Sequence, residues 1–232
     1  MMRRLVFLIP GSILVYLLVA YLALPWAWKV HTHRHPDLSA GPRLTHTAEG
    51  LPGDPLNIAL IGSDPDVVRA MTASGWRPAD PITFQTSLRI VERTLLKKPD
   101  ETAPVSPLFL FGRKQDLAFE QPVGASPRQR HHVRYWRAEL VDQDPPLWLG
   151  AATYDTSVGV SHRTGQVTHH IAADLDAERN KCSADLTRAG VTEEVYYVER
   201  FHDRLQGRNG GGDVWHTDGR LVVVRLASTL SR

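Results

Sequence analysis

One cysteine, Cys182, stands in 232 residues, which excludes an intrachain disulfide and fits oxidising and reducing compartments alike. An excess of one charge is also lacking. Lysine and arginine number 27 against 25 aspartates and glutamates, a formal balance of +2, although arginine greatly outnumbers lysine. With no basic helix, zinc-finger spacing or basic-aromatic repeat, nucleic acid is not an expected partner. The glycine-rich fingerprint of a nucleotide loop, a Gly-x-Ser-x-Gly elbow and a His-Glu-x-x-His helix are absent, so nucleotide binding, acyl hydrolysis and zinc proteolysis find no support. Between Leu5 and Trp28 there is no charged side chain at all.

That uncharged run meets the length of about 20 residues that a helix needs to cross a bilayer core. Residues 5–28 are expected to be a transmembrane anchor behind the short flank 1–4. Arg3 and Arg4 precede it, Tyr21, Trp26 and Trp28 gather as interfacial aromatics near its end, and Pro10 and Gly11 mark a place for a kink. A cleaved signal peptide is the competing reading, but the run is longer than a usual h-region and no small-x-small site closes it. The default orientation puts the rest of the chain outside the cytoplasm, although Lys29, Arg34 and Arg43 nearly match Arg3 and Arg4 in charge. Residues 29–54, rich in His, Pro, Gly and Thr, read as a juxtamembrane linker. Its alternating His31, His33 and His35 have the residue type of metal ligands; beside Lys29 and Arg34 a solvated tether drawn to anionic headgroups is the simpler reading.

A globular domain is expected over residues 55–232, ample for one core. Asn57 to Ile61 is an apolar strand; Ser63-Asp64-Pro65 supplies a helix start, Val67, Val68 and Met71 an inward stripe, and Gly75 a stop. A second helix is expected from about Thr83 to Leu96. Leu108 to Phe111 and Leu117 to Phe119 suggest paired short strands, with Arg113, Lys114 and Asp116 in their turn. Gln166 to Ile171 reads as a strand with His169 inward, and Asp174 or Asp176 caps a helix reaching Ala189, stopped by Gly190. Val195 to Phe201 is strand-like and Gly207 to Gly212 a loop. Val214 to Thr217, Asp218-Gly219 and Leu221 to Leu226 have the pattern of a hairpin with a type I′ turn. The sum is an α+β domain with mainly antiparallel strands and about three helices.

The chemistry gathers in Arg128-Gln-Arg-His-His-Val-Arg-Tyr-Trp136. On a strand, side chains alternate, so His132, Arg134 and Trp136 share one face while His131, Val133 and Tyr135 share the other. Leu147 to Asp155 reads as the second arm of a hairpin closed by residues 141–146. Pairing Leu140 with Leu147 puts Trp136 opposite Ala151, Arg134 opposite Thr153 and His132 opposite Asp155. A carboxylate beside His132 would fix one tautomer and raise the basicity of the other nitrogen. The candidate catalytic residues are therefore His132, Asp155 and His169, and the candidate ligand contacts Arg113, Arg130, His131, Arg134, Trp136 and His170. A buried histidine satisfied by a carboxylate is the plain alternative. His132, Asp155 and His169 are acceptable metal ligands without a diagnostic spacing, so neither metal nor cofactor is specified.

Several runs carry a resemblance: Pro55-Leu-Asn-Ile-Ala-Leu-Ile-Gly-Ser63, Gly75-Trp-Arg77, Pro104-Val-Ser-Pro-Leu108, Gly112-Arg-Lys-Gln-Asp-Leu-Ala-Phe119, Arg130-His-His-Val-Arg-Tyr-Trp136 and Trp148-Leu-Gly-Ala-Ala152. Over roughly Pro55 to Arg200 the chain resembles the LssY C-terminal domain family. The resemblance carries over no activity. It implies a domain that occurs alone behind membrane segments or appended to membrane phosphatases of the type 2 phosphatidic-acid and DedA kinds. Arg163, His170 and Asp174 echo the last motif of the first of these phosphatases with a spacing off by one, and its other motifs are missing, so the chain is not itself such an enzyme. Two functions remain: a binding or accessory module for an anionic envelope lipid or a membrane enzyme partner, and a tethered hydrolase using the His/Asp/Arg group on a phosphate-bearing or lipid substrate.

Overall fold

The computed structural model describes residues 12–16, 18–24, 26–27, 30, 38, 41–48, 50–79, 108–124, 129–138, 144–160 and 167–228. Two units separate by contact, residues 1–40 and 41–232. In the first, residues 12–16 and 18–24 are helical, with a π-helical turn at Val19–Ala23. Among the described residues no helix is long and apolar enough to cross a membrane.

The second unit is a single α+β domain. Its elements are β1 (Leu44–His46), β2 (Pro52–Pro55), β3 (Ile58–Ile61), α1 (Asp64–Ala73), β4 (Arg77–Pro78), β5 (Phe109–Leu110), β6 (Arg113–Lys114), β7 (Leu117–Pro122) and β8 (Arg130–Arg137). Then come β9 (Leu147–Val160), β10 (Val167–Ile171), α2 (Leu175–Arg188), β11 (Thr192–Val198), β12 (Gln206–Arg208), β13 (Val214–His216) and β14 (Leu221–Leu226). An eight-stranded sheet runs β11-β14-β3-β9-β8-β7-β4, with β10 on the far half of β9. A four-stranded sheet runs β2-β1-β5-β6, and β12 and β13 form a separate ribbon. Among the described residues all strand pairs are antiparallel except β14 with β3.

Alternation along the strands gives the large sheet two unlike faces. One is apolar. Ile58, Leu60, Val133, Tyr135, Phe119, Val222 and Val224 point to it and are fully buried in the core. Against them lie α1, capped by Ser63 and inward at Val67 and Met71, and α2, capped by Asp174 and inward at Leu175, Cys182 and Leu186. Both helices stop at glycines of positive φ, Gly75 (+83°) and Gly190 (+68°), a conformation that costs glycine little. The Tyr135 hydroxyl lies 3.8 Å from Met71 Sδ and 3.7 Å from Cys182 Sγ, between the two helices. Burial pushes the Cys182 thiol up to about 12, so the lone cysteine is packing and not a nucleophile. The opposite face carries Glu120, Arg130, His132, Arg134, Thr153 and Asp155, all buried.

Several expectations change. Strands begin before Pro55: β1 and β2 form inside the stretch read as linker, because Leu44 and Pro55 find pairing partners in each other. Arg113 and Lys114 do not turn between two paired strands; they form β6, which pairs with β5, while β7 joins the large sheet. The Asp218-Gly219 hairpin does not form. Every residue of β14 is buried, and β14 lies between β11 and β3, whereas β13 pairs with β12. Gly219 does take a positive φ of +86°, but at a crossing between layers, where Arg179 grips Asp218 through both guanidinium nitrogens at 2.7 and 2.9 Å. The helix expected at 83–96 lies outside the described residues.

The β8–β9 hairpin forms in a register two residues from the expected one. Arg130 faces Asp155, His132 faces Thr153, Arg134 faces Ala151 and Tyr135 faces Gly150. A shift of two preserves the faces and changes every partner. The observed pairing lets the Tyr135 ring lie over a residue without a side chain, and it sets opposite charges across from each other at the open end.

Candidate functional site

Arg130 is the hub of the polar face. Its Nε donates to Asp155 Oδ2 at 3.0 Å, Nη1 to Glu120 Oε2 at 2.7 Å, and Nη2 lies 3.3 Å from His169 Nε2. A guanidinium only donates. His169 Nε2 is therefore the acceptor, and the ring carries its proton on Nδ1. Burial, with Arg130 and Arg134 behind it, lowers the His169 pKa to about 4. Glu120 is held from its other oxygen by Arg77 Nε at 3.1 Å.

Two residues along β8 on the same face, beyond His132, Arg134 has a thinner set of partners. Its Nη1 reaches Asp54 Oδ2 at 3.4 Å, and its buried Nε bonds to no described group. Asp54 is fixed from behind by Asn209 Nδ2 at 3.2 Å. Burial raises the Asp54 and Asp155 pKa values, against the opposing pull of the nearby arginines. Between Arg130 and Arg134, His132 is 1% exposed, and neither ring nitrogen has a hydrogen-bond partner among the described residues. Its cross-strand neighbour Thr153 is in the same condition at Oγ1. Burial first, then Arg134, Arg130 and His169, holds His132 well below the usual imidazole range, so the ring is neutral.

A cavity of about 60 Å³ is lined by Arg134, Asp155, His169, Asp54 and Asn209, with Gly210 and Gly211 along one side; His132, Thr153, Arg130 and Glu120 do not line it. At roughly 10–15 Å³ per water this is room for about four waters or one small oxyanion. Of the three residues expected to be catalytic, Asp155 and His169 line the cavity and His132 sits beside it on β8. The expected His132–Asp155 dyad does not form, because the register gives Asp155 to Arg130.

The expected ligand contacts divide. Arg130 and Arg134 belong to the centre. His131 is on the helix face, its Nδ1 2.8 Å from Glu178 Oε2. His170 Nδ1 lies 2.8 Å from Asp213 Oδ1 and pins the 209–213 loop to β10. Trp136 is fully buried and donates to the Arg113 carbonyl at 3.3 Å, and Arg113 itself pairs with Asp116 at the surface; both are structural. Asp54, Glu120 and Asn209 were not foreseen. Alternation puts Glu120 on the face opposite Leu117 and Phe119, where an acid reads as solvent-facing, and Asp54 and Asn209 sit in segments read as linker and loop, so no sequence signal marks the three. No group of three or more His, Cys, Asp or Glu side chains among the described residues is arranged to hold a metal ion.

A neutral, half-buried His169 makes stability depend on pH. The folded-state pKa lies below the ordinary 6.5, so the stability this ring contributes is present above pH 6.5 and is lost as pH falls towards about 4. Urea unfolding at pH 7 and pH 5 is expected to show a smaller acid-side loss for His169→Gln than for the wild type; equal losses would remove the ring from the linkage.

A family model described as LssY C-terminus matches residues 38–221. No curated protein and no solved structure matches the chain.

Proposed function

We propose a function from the premise that the chain belongs to the LssY C-terminus family: its domain is a membrane-tethered recognition module that takes the phosphate-sized head of an anionic envelope lipid into the Arg134–Asp155–His169 cavity. One observation carries this reading. Buried polar groups are nearly always paired, yet Arg134 Nε, on a residue of the cavity wall, and both His132 nitrogens and Thr153 Oγ1, next to it on β8 and β9, have no partner among the described residues. Donors predominate among them, and a guanidinium keeps its charge, so an acceptor-rich group suits the place. The carboxyls of Asp54 and Asp155 are already pushed towards their protonated forms, and an incoming anion pushes them further, so capture of the ligand takes up protons.

The tether is residues 5–28. They contain no charged side chain, and the large apolar side chains described between Ile13 and Trp26 are 46–69% exposed. A bilayer is the solvent that such a surface fits, with the domain on the extracytoplasmic side.

Calorimetric titration of the full chain with inorganic phosphate tests the reading. Binding is expected to tighten as pH falls and to weaken about tenfold or more in Arg134→Met, the size of one charge-assisted contact. Phosphatidate vesicles are expected to retain the chain better than phosphatidylcholine vesicles do. If phosphate does not bind, or Arg134→Met binds as the wild type does, the cavity is not a headgroup site; a membrane enzyme partner is then the remaining ligand. Hydrolysis is a second reading, favoured by the raised Asp155 carboxyl beside Arg134 in the same cavity, since an acid of raised pKa can protonate a leaving group. Phosphoester turnover that survives in Asp155→Asn would sink that version.

A further inference from the structure

A second compartment lies between the edge of β1–β2 and the β12–β13 ribbon. It is a cleft of about 690 Å³, inside the range of roughly 300–1,000 Å³ typical of small-molecule sites. It shares no lining residue with the polar cavity. Leu44, Pro52, Val214 and Trp215 form its apolar walls, and its charged lining residues are Arg204 and Arg208, with no carboxylate among the lining.

We infer that this cleft binds a single-chain amphiphile, its apolar chain laid along Trp215 and its anionic group held by Arg204 and Arg208. Trp215 is 3% exposed, and its indole nitrogen is buried without an acceptor among the described residues. An N–H in that condition points to a ligand atom that accepts from it. The ring owes its position to its cross-strand partner, Gly207, where an added Cβ would lie 2.6 Å from Cζ2 and 3.2 Å from Nε1. The missing side chain lets the indole lie across the ribbon on the cleft side. Val214 lines the same wall and is 50% exposed, as is the neighbouring Leu205, an apolar rim unusual for a ribbon of three-residue strands. Arg208 spends one nitrogen on the Gly212 carbonyl at 2.8 Å, which keeps the loop closed and fixes the guanidinium at the mouth. Arg204 is exposed. A chain with a charged end thus meets an apolar floor, a buried donor and two cations in one place. A fatty carboxylate and a single-chain phosphate share this chemistry. The proposal stands whether or not the polar cavity binds phosphate.

The test uses the full chain in phosphatidylcholine nanodiscs. Dodecanoate and dodecyl phosphate, each brominated at the chain end, are titrated while tryptophan fluorescence is read, with brominated dodecanol as the uncharged control. With Trp26 and Trp28 replaced by phenylalanine throughout, quenching by each amphiphile is expected, and most of it is expected to vanish in Trp215→Phe. Arg204→Glu should weaken both anions about tenfold and leave the alcohol unchanged, and Val214→Arg should weaken all three. The anion with the tighter binding identifies the headgroup. Quenching that is the same in Trp215→Phe and in the wild type overturns the site, and an Arg204→Glu variant with wild-type affinity for both anions overturns the anionic ligand. Loss of phosphate binding in Arg134→Met with the cleft arms intact separates this proposal from the preceding one.

Discussion

Replacing Arg130 by methionine is expected to cost about 3–5 kcal/mol, the range for removing one partner from a buried charge cluster. At about 2–4 °C per kcal/mol for a domain of this size, the melting temperature falls by roughly 6–20 °C. The reason is what remains behind. Glu120 and Asp155 are 2% and 3% exposed at their side chains; this guanidinium is the ion-pair partner of Asp155 and one of two for Glu120, whose other oxygen Arg77 holds. Methionine fills the volume of the stem without the charge, so Asp155 loses its ion pair in a low dielectric and Glu120 keeps only the half-exposed Arg77. They must then take up protons or draw in water. A companion variant isolates the cause: Glu120→Gln with Asp155→Asn in the Arg130→Met background is expected to recover much of the loss, because amides tolerate burial better than unpaired carboxylates. Denaturant unfolding of the three proteins measures it. A loss below about 1 kcal/mol in the single variant would mean that the cluster is hydrated and not buried.

Gly150→Ala is expected to destabilise by about 1–3 kcal/mol through overpacking. Its new Cβ would lie 2.6 Å from Tyr135 Cε1 and 2.9 Å from Ile58 Cγ2, and both neighbours are fully buried. Neither is the free end of a flexible chain. The Tyr135 ring is wedged between α1 and α2, and Ile58 sits in a central strand between β14 and β9. A double-mutant cycle with Tyr135→Leu gives the decisive reading, because a smaller ring-free neighbour leaves room for the methyl. The pair should cost less than the sum of the singles; strict additivity would show that the methyl is accommodated by other means.

The same glycine explains how far the sequence could be read. Alternation identified both arms of the central hairpin and put His131 and His132 on opposite faces, and capping residues identified both helices of the second unit to within a residue or two. Register was beyond alternation, since a two-residue slip leaves every face unchanged. The information lay in size: Tyr135 needs the gap at Gly150, and the expected register would have set it against Ala152. The Asp-Gly signal at 218–219 misled for a related reason. It correctly marks a positive φ, but the path of the chain beyond that turn is decided by six buried residues whose place is the middle of a sheet. Asp54 and Asn209 were hidden because their role comes from contacts some 80 and 155 residues away along the chain, to Arg134 and to Asp54.

Strand β2 is only four residues long, and proline stands at each end. Proline holds φ near −65°, so the strand bends little between those two posts. Pro52 faces the cleft, and Gly53 and Asp54 face the polar cavity; across from them the chain passes from Arg208 to Asn209 in the same way, one residue on each side. The two chambers thus have a party wall, thin and stiff. A ligand in either chamber meets backbone that also borders the other, and any effect of one ligand on the affinity for the other would be equal in both directions.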